Sequence, residues 1–426
     1  MSLELLRGDL LPEIKNALPG PESRRASLRL ARHEAPGINT LGPGDEAALV
    51  WAAARGANVL DVDGNRFIDL TSGFGAASIG HRHPRVVAAV TCQSRDLLHG
   101  LGDVAAHPAR IALAESLCAL APVENPRVHF AVSGADAVEV AIKTSILATG
   151  RKRLLVFAPG YHGLTLGALA ATSRPAFRLP FADQLSPHFV RLPFACAPEL
   201  VAEALDETFA AVLVEPIVGR EGILVPPDGW LAALAALCRA RGTQLILDEI
   251  LTGFGRTGRL FAGDHDGVRP DLLCCGKALG GGLPVAAVVG RSDLMESWRT
   301  GGEALHTGTF VAHPLACAAA LATLSVLEEE RFVERAEAIG TRLLESLSAL
   351  PESVQLRGRG ALWGLAFTRP ESARSFATAL RARGLLVLCG GPNGAVVELL
   401  PPFAITDVQL DFVCEAIVAE LASSPP

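Results

Sequence analysis

Lysine and tyrosine are nearly missing from this sequence. Only Lys15, Lys143, Lys152 and Lys277 occur, so 34 of the 38 basic residues are arginine, and Tyr161 is the one tyrosine in 426 residues. No apolar run reaches the ~18–20 residues that a membrane-spanning helix needs. The best candidate, residues 314–327, is short and Ala-rich and reads as a buried helix. The opening residues carry Glu4, Asp9 and Glu13, which fits neither a secretory signal nor a basic transit peptide. The nine cysteines form no CxxC pair. A zinc site needs clustered ligands at fixed spacing, so none is expected. Most of the cysteines lie in apolar surroundings, as in LLCCGK and PLACAAA, and read as reduced core thiols of a cytoplasmic protein. A net charge of −7 argues against a general binder of nucleic acid or anionic membrane.

What is present is a large apolar fraction, 50%, with 19% charged residues, which excludes disorder. The length suits about three domains of ~150 residues, or two lobes of a large α/β enzyme. Short apolar runs recur at 128–133, 154–159, 211–216, 244–249, 272–277 and 285–290, mostly separated by helical patterns. Continuous apolar strands alternating with helices predict a mainly parallel sheet covered on both faces. DVDGNRFIDL (61–70) predicts a hairpin around an Asp-Gly turn. Residues 1–50, broken at PGP (19–21) and PGINTLGPGD (36–45), read as an arm with a short helix or two. From about 320 the pattern predicts a long helix (315–350), three short strands and a closing helix from 406. The expected organisation is an N-terminal segment (1–60) that joins a smaller α+β domain, a large domain (61–320), and a C-terminal small domain (321–426).

The chemistry sits where these strands end. In open α/β sheets, ligands bind beyond the carboxyl ends of the strands. The first run delivers Ser133-Gly134-Ala135-Asp136 before a helix, a turn whose free N–H groups suit a phosphate. The second delivers Tyr161 and His162 between Gly160 and Gly163, with a ring able to stack on a flat ligand. The third delivers Glu215, the fourth Asp248-Glu249, and the fifth Lys277 ahead of a glycine run. Each has an ordinary structural explanation taken singly: a helix cap, a half-buried aromatic, an ion-pair partner. Together they make a phosphate cradle, a stacking face, a strand-end carboxylate and a desolvated lysine, the set that pyridoxal phosphate needs. The lysine must lose pKa to act as a nucleophile, and the carboxylate keeps the pyridine nitrogen protonated.

These residues resemble the class III (ω-type) aminotransferases, which are fold-type I pyridoxal-phosphate enzymes. The resemblance rests on DVDGNRFIDLTSGFGAASIGHRHP, FAVSGADAVEVAIK, GYHG, LVEPIVGREG, LILDEILTGFGRTG, PDLLCCGKALGGGLP and HTGTFVAHPLACAAA, from about residue 61 to 320. It implies that Lys277 bonds the cofactor aldehyde and shuttles a proton. It implies that Asp248 pairs with the pyridine N–H, that Tyr161 and Ile250 cover the two ring faces, and that Gly134 and Ala135 hold the phosphate. Ser133, His162 and Glu215 fall at positions near the cofactor. Thr309 resembles a phosphate-binding threonine given by the second subunit of a homodimer. The implied reaction moves an amino group from an ω-amino acid, diamine or related donor to a 2-oxo acid in two half-reactions, by way of the pyridoxamine form. A racemase or aminomutase on the same scaffold, and a non-catalytic relic, are the alternatives.

Three positions depart from the family pattern. Leu251 stands where relatives often have a glutamine near the cofactor's phenolic oxygen. Glu398, in VVELLPPFAIT, stands where many relatives carry a carboxylate-binding arginine. Arg220, in EPIVGREG, stands where the GABA-type relatives carry the glutamate that pairs with that arginine. The exchange predicts a reversed Arg220–Glu398 ion pair at the mouth of the site, with Arg220 receiving a substrate carboxylate when the pair opens; the ordinary alternative is two unrelated surface charges. Phe74, in the loop Ser72-Gly73-Phe74-Gly75, is expected to help size the pocket.

Overall fold

The computed structural model describes residues 7–36, 48–299 and 301–423. Of the expected break at 36–45, only Pro36 lies within them. A helix spans Pro21–Leu30, and then β1 (Trp51–Arg55), β2 (Asn58–Asp61) and β3 (Arg66–Asp69) run antiparallel. β2 and β3 form the expected hairpin. Asp61 stabilises its turn by accepting N–H bonds from Asp63 and Asn65.

The central sheet holds β4 (Pro126–Ala131), β5 (Arg153–Ala158), β6 (Phe189–Pro193), β7 (Phe209–Val214), β8 (Gln244–Asp248), β9 (Leu272–Cys275) and β10 (Ala286–Arg291), in the order β4-β10-β9-β8-β7-β5-β6. From β9 to β6 all pairings are parallel. β10 is antiparallel to both neighbours. The link from β9 to β10 is too short for a helical crossover of a dozen or more residues, so the chain must turn back on itself. β7 and β8 are buried along their whole length, which is why they read as unbroken apolar runs. β6 gave no such signal. It is an edge strand, half-buried and ending in Pro193, where proline is tolerated.

The C-terminal part adds β11 (Val354–Arg359), β12 (Leu362–Phe367), β13 (Leu385–Leu386), β14 (Leu388–Gly390) and β15 (Val396–Leu399). Four of them form the antiparallel sheet β11-β12-β15-β14, while β13 pairs in parallel with β3. The run LLVLCG (385–390), the second of the three short strands expected after the long helix, is therefore shared between two sheets. The expected long helix is likewise two helices, Pro314–Glu329 and Phe332–Ser346, separated where Arg331 takes a φ of +52°. In one continuous helix, the step from Leu327 to Phe332 would turn the second apolar stripe by roughly 140° from the first. The interruption lets both stripes bury.

One buried cation ties these parts together. Arg256 is fully buried, donates to the carbonyls of Ala361 and Pro401 and to Ser78 Oγ, and stacks on Phe403 at 4.8 Å. It clamps the segment after β8 to the segments that follow β3 and β15.

Candidate active site at the ends of the parallel strands

Because β5, β7, β8 and β9 are parallel neighbours, their carboxyl ends open on one edge of the sheet. Asp248, the last residue of β8, is buried, and its Oδ2 accepts from His162 Nδ1 at 2.8 Å. Its Oδ1 accepts from Ile250 N at 3.2 Å. Burial opposes a charge on His162, but Asp248 outweighs it and holds the imidazole above its ordinary pKa. Glu215, after β7, accepts from Tyr161 N at 2.8 Å and from Gly219 N at 3.1 Å. Burial pushes its carboxyl up to about 7. The strand-end carboxylates thus hold the Tyr161-His162 turn through direct hydrogen bonds.

Lys277 follows Gly276 at the end of β9 and takes a φ of +40°, unusual for a residue with a Cβ. Burial holds its ammonium below the ordinary lysine value, against the opposing pull of Asp248, Glu215 and Glu398. A lowered pKa is what a nucleophilic amine at neutral pH requires.

Two glycines let the phosphate-type turn close onto the other strand ends. Ser133 caps the Gly134–Thr149 helix, its Oγ accepting from Asp136 N at 3.2 Å. A Cβ on Gly134 would come within 3.0 Å of Ile250, so that side chain lies over the turn. A Cβ on Gly163, where φ is +123°, would fall 2.5 Å from that of Ala135. Gly163 therefore allows the Tyr161-His162 turn to pack directly on the helix N-terminus.

A cavity of about 370 Å³ opens over these groups, lined by Tyr161, Lys277, Arg220, Glu398, Phe74 and Leu251 among others. Leu251 gives it an apolar wall, as its side chain dictates. Phe74 is exposed at the rim. Ser72, Gly73, Phe74 and Gly75 all have positive φ, a strained run for the two non-glycine residues. Asp69 holds it: its carboxylate accepts from Thr71 N, Thr71 Oγ1 and Gly73 N, and contacts His81 Nε2 at 2.8 Å. A larger apolar groove of about 870 Å³ lies between the helices at 84–96, 108–120 and 314–329, away from these ionisable groups.

The expected Arg220–Glu398 ion pair is not formed. Both side chains line the cavity, but Arg220 Nε and Glu398 Oε1 are buried without hydrogen-bond partners. Arg220 instead stacks on Tyr161 at 5.0 Å and on Phe177 at 5.6 Å, which gives its guanidinium a partner other than a carboxylate. Arg174, which also lines the cavity, is paired with the buried Glu221, Nη2 to Oε1 at 2.9 Å. Arg174 also donates to the carbonyl of Gly391 at 2.8 Å. Sequence reasoning passed over Arg174, Glu221 and Asp69. Glu221 lay inside the quoted EPIVGREG motif, but its partner is far away in the chain. Thr309 is exposed on a loop beside Gly102, apart from the residues that line the cavity. In the same loop His306 contacts Asp136 and Lys143, at 2.8 and 2.9 Å.

This arrangement is a phosphate-type turn, a stacking ring, a buried carboxylate and a depressed lysine at the switch edge of a mainly parallel sheet, and it defines a pyridoxal-phosphate transferase. A family model for class-III aminotransferases matches residues 42–421, and the chain belongs to that family. It is 41% identical over 407 residues to an acetylornithine aminotransferase of Mycobacterium tuberculosis, covering 95% of this chain and 98% of the relative. Among solved structures it is similar to the ornithine aminotransferase of Toxoplasma gondii, described with partial occupancy of PLP at its active site. The TM-score is 0.86 at 30% identity, covering 94% of each chain. An ω-transaminase from Thermomicrobium roseum gives a TM-score of 0.85 at 30% identity, covering 96% of this chain and 99% of that one. The protein is thus a PLP-dependent aminotransferase with a fold-type I architecture. The residues present fit the cofactor: a buried carboxylate hydrogen-bonded to an imidazole, a glycine turn at a helix N-terminus, and a buried lysine held below its ordinary pKa.

Proposed function

We propose that this enzyme transfers an amino group from an ω-amino acid, a diamine or a related donor to a 2-oxo acid, with Lys277 and Asp248 as its catalytic residues. The observation that carries the reading is a cavity lined by Tyr161 and Lys277, with His162, next to Tyr161 in the chain, hydrogen-bonded to the buried Asp248 at 2.8 Å. When bound, the cofactor supplies the aldehyde that takes up the amino group and the ring that absorbs electrons from the adjacent carbon. Lys277, whose ammonium burial holds below the ordinary lysine value, would take up and return the proton of the donor carbon. Asp248, which accepts a hydrogen bond from His162 at 2.8 Å, would face the ring nitrogen. Tyr161 and Ile250 would cover the two faces of the ring. Ser133, Gly134 and Ala135 receive the phosphate at the helix N-terminus. Glu215 orients the Tyr161 turn, and Arg220 receives a donor carboxylate.

We also infer a homodimer in which Thr309 completes the neighbouring site. Leu98, Leu101, Val104, Leu305 and Phe310 are exposed around the Thr309 loop, an apolar patch suited to burial by a second copy. The test is a donor screen with GABA, ornithine, lysine, 2,4-diaminobutyrate and putrescine, each with pyruvate and with 2-oxoglutarate. Formation of alanine or glutamate supports the reading. No new amino acid from any pair, with loss of optical rotation of a single amino acid, assigns a racemase instead.

A further inference from the structure

The cavity carries Arg220 and Glu398, opposite charges that have no ionic partner among the described residues. Arg174, another charge in its wall, is closed onto Glu221. Arg220 is held by aromatic rings and keeps a buried Nε without an acceptor. Glu398 sits mid-strand on β15, opposite Gly364 of β12 and Leu388 of β14, with a buried, unpartnered Oε1. Burial raises its carboxyl to about 7, with Arg220, Lys277 and Arg174 pulling the other way. A carboxylate removed from water without a hydrogen-bond partner is unfavourable, and one cation brought to it offsets that cost. The neighbouring strand also accommodates it. A Cβ on Gly390 would lie 1.8 Å from Glu398 Oε1, so the glycine leaves the carboxylate its place.

We propose that Glu398 is a specificity-determining residue that receives a second, cationic group of the amino donor, so that the cavity selects diamino monocarboxylates over dicarboxylates. The inference rests on the aminotransferase reading above. One amino group of the donor goes to the cofactor beside Lys277. The carboxylate pairs with Arg220, whose planar fork suits bidentate contact. The remaining ammonium pairs with Glu398. A dicarboxylate would bring its second carboxylate against Glu398, and like charges in a desolvated cavity repel.

The experiment measures single-turnover loss of the cofactor's yellow absorbance in holoenzyme mixed with donor alone. The donors are L-2,4-diaminobutyrate, L-ornithine, 4-aminobutyrate and L-glutamate. Wild type is expected to react with a diamino acid at least about tenfold more efficiently than with glutamate, and Glu398→Gln to cut the ratio of diamino acid to 4-aminobutyrate by about tenfold or more. Gly390→Ala, which retains every charge but displaces the carboxylate, is expected to lower the same ratio. That variant keeps the test open if Glu398→Gln does not fold. Reaction with 4-aminobutyrate or glutamate, with a ratio that moves by less than about twofold in both variants, overturns this proposal alone. Absence of reaction with every donor overturns the donor reading above and this proposal with it.

Discussion

The two sides of the cavity are built on opposite principles. On the ring side, Asp248, His162 and Glu215 are buried and joined by hydrogen bonds to one another's turns. On the mouth side, Arg220 and Glu398 face each other's field without touching, and each keeps an unpartnered buried atom. A satisfied polar network in a low-dielectric site is rigid and expensive to disturb. An unsatisfied one is unfavourable in itself and gains when a ligand arrives. We therefore read the ring side as a fixed template for the cofactor and the mouth as a receptor for the substrate.

Substitutions break this comparison in a graded way. Lys277→Ala is expected to lower turnover by roughly 10⁴-fold or more with every donor, because both nucleophile and proton shuttle are lost. Asp248→Ala is expected to cost about 10³-fold in kcat, again with every donor, since the electrostatic support of the ring goes. His162→Phe removes one charge-assisted hydrogen bond, about 1.5–3 kcal/mol, or about 10–100-fold in kcat. Its cofactor absorbance should also shift with pH differently from wild type, a readout that a folding defect alone would not give. On the mouth side, Arg220→Gln is expected to raise KM about tenfold for donors with a carboxylate and to spare putrescine by comparison. That contrast, absent on the ring side, is what separates template from receptor.

The smallest effect is in pH. Burial raises the Glu398 carboxyl to about 7; the basic groups Arg220, Lys277 and Arg174 pull it down and Glu221 pushes it up. Below about pH 7 it is protonated and offers a cation no charge. As pH rises through about 7 it ionises, and the preference for a diamino acid over 4-aminobutyrate should rise and then level off. Lys277 and Glu215 also titrate, but they act on both donors, so the ratio isolates Glu398.

The ring side was legible in the sequence because its residues follow unbroken apolar strands that parallel neighbours must align. Asp248 follows QLIL, and Lys277 follows LLCCG. In a chain that uses arginine almost everywhere, Lys277 remained conspicuous. The mouth was only partly legible. Arg220 and Glu398 were placed in one site by their exchanged charges, but their pairing was wrong. A stacking partner such as Phe177 is set by tertiary packing, not by spacing. Arg174–Glu221 joins residues 47 apart in the chain, and Asp69 acts on its turn through backbone N–H groups that no motif displays. The fold shows the same limit. Fully buried strands announced themselves, while the edge strand β6 and the divided run LLVLCG depended on which sheet had room for them.

The most direct test of the account is borohydride reduction of the PLP-loaded protein, followed by peptide mapping. With only four lysines to choose from, the account predicts one labelled peptide, containing Lys277, and no label in Lys277→Ala. Label on Lys15, Lys143 or Lys152, or none in the wild type, would contradict it.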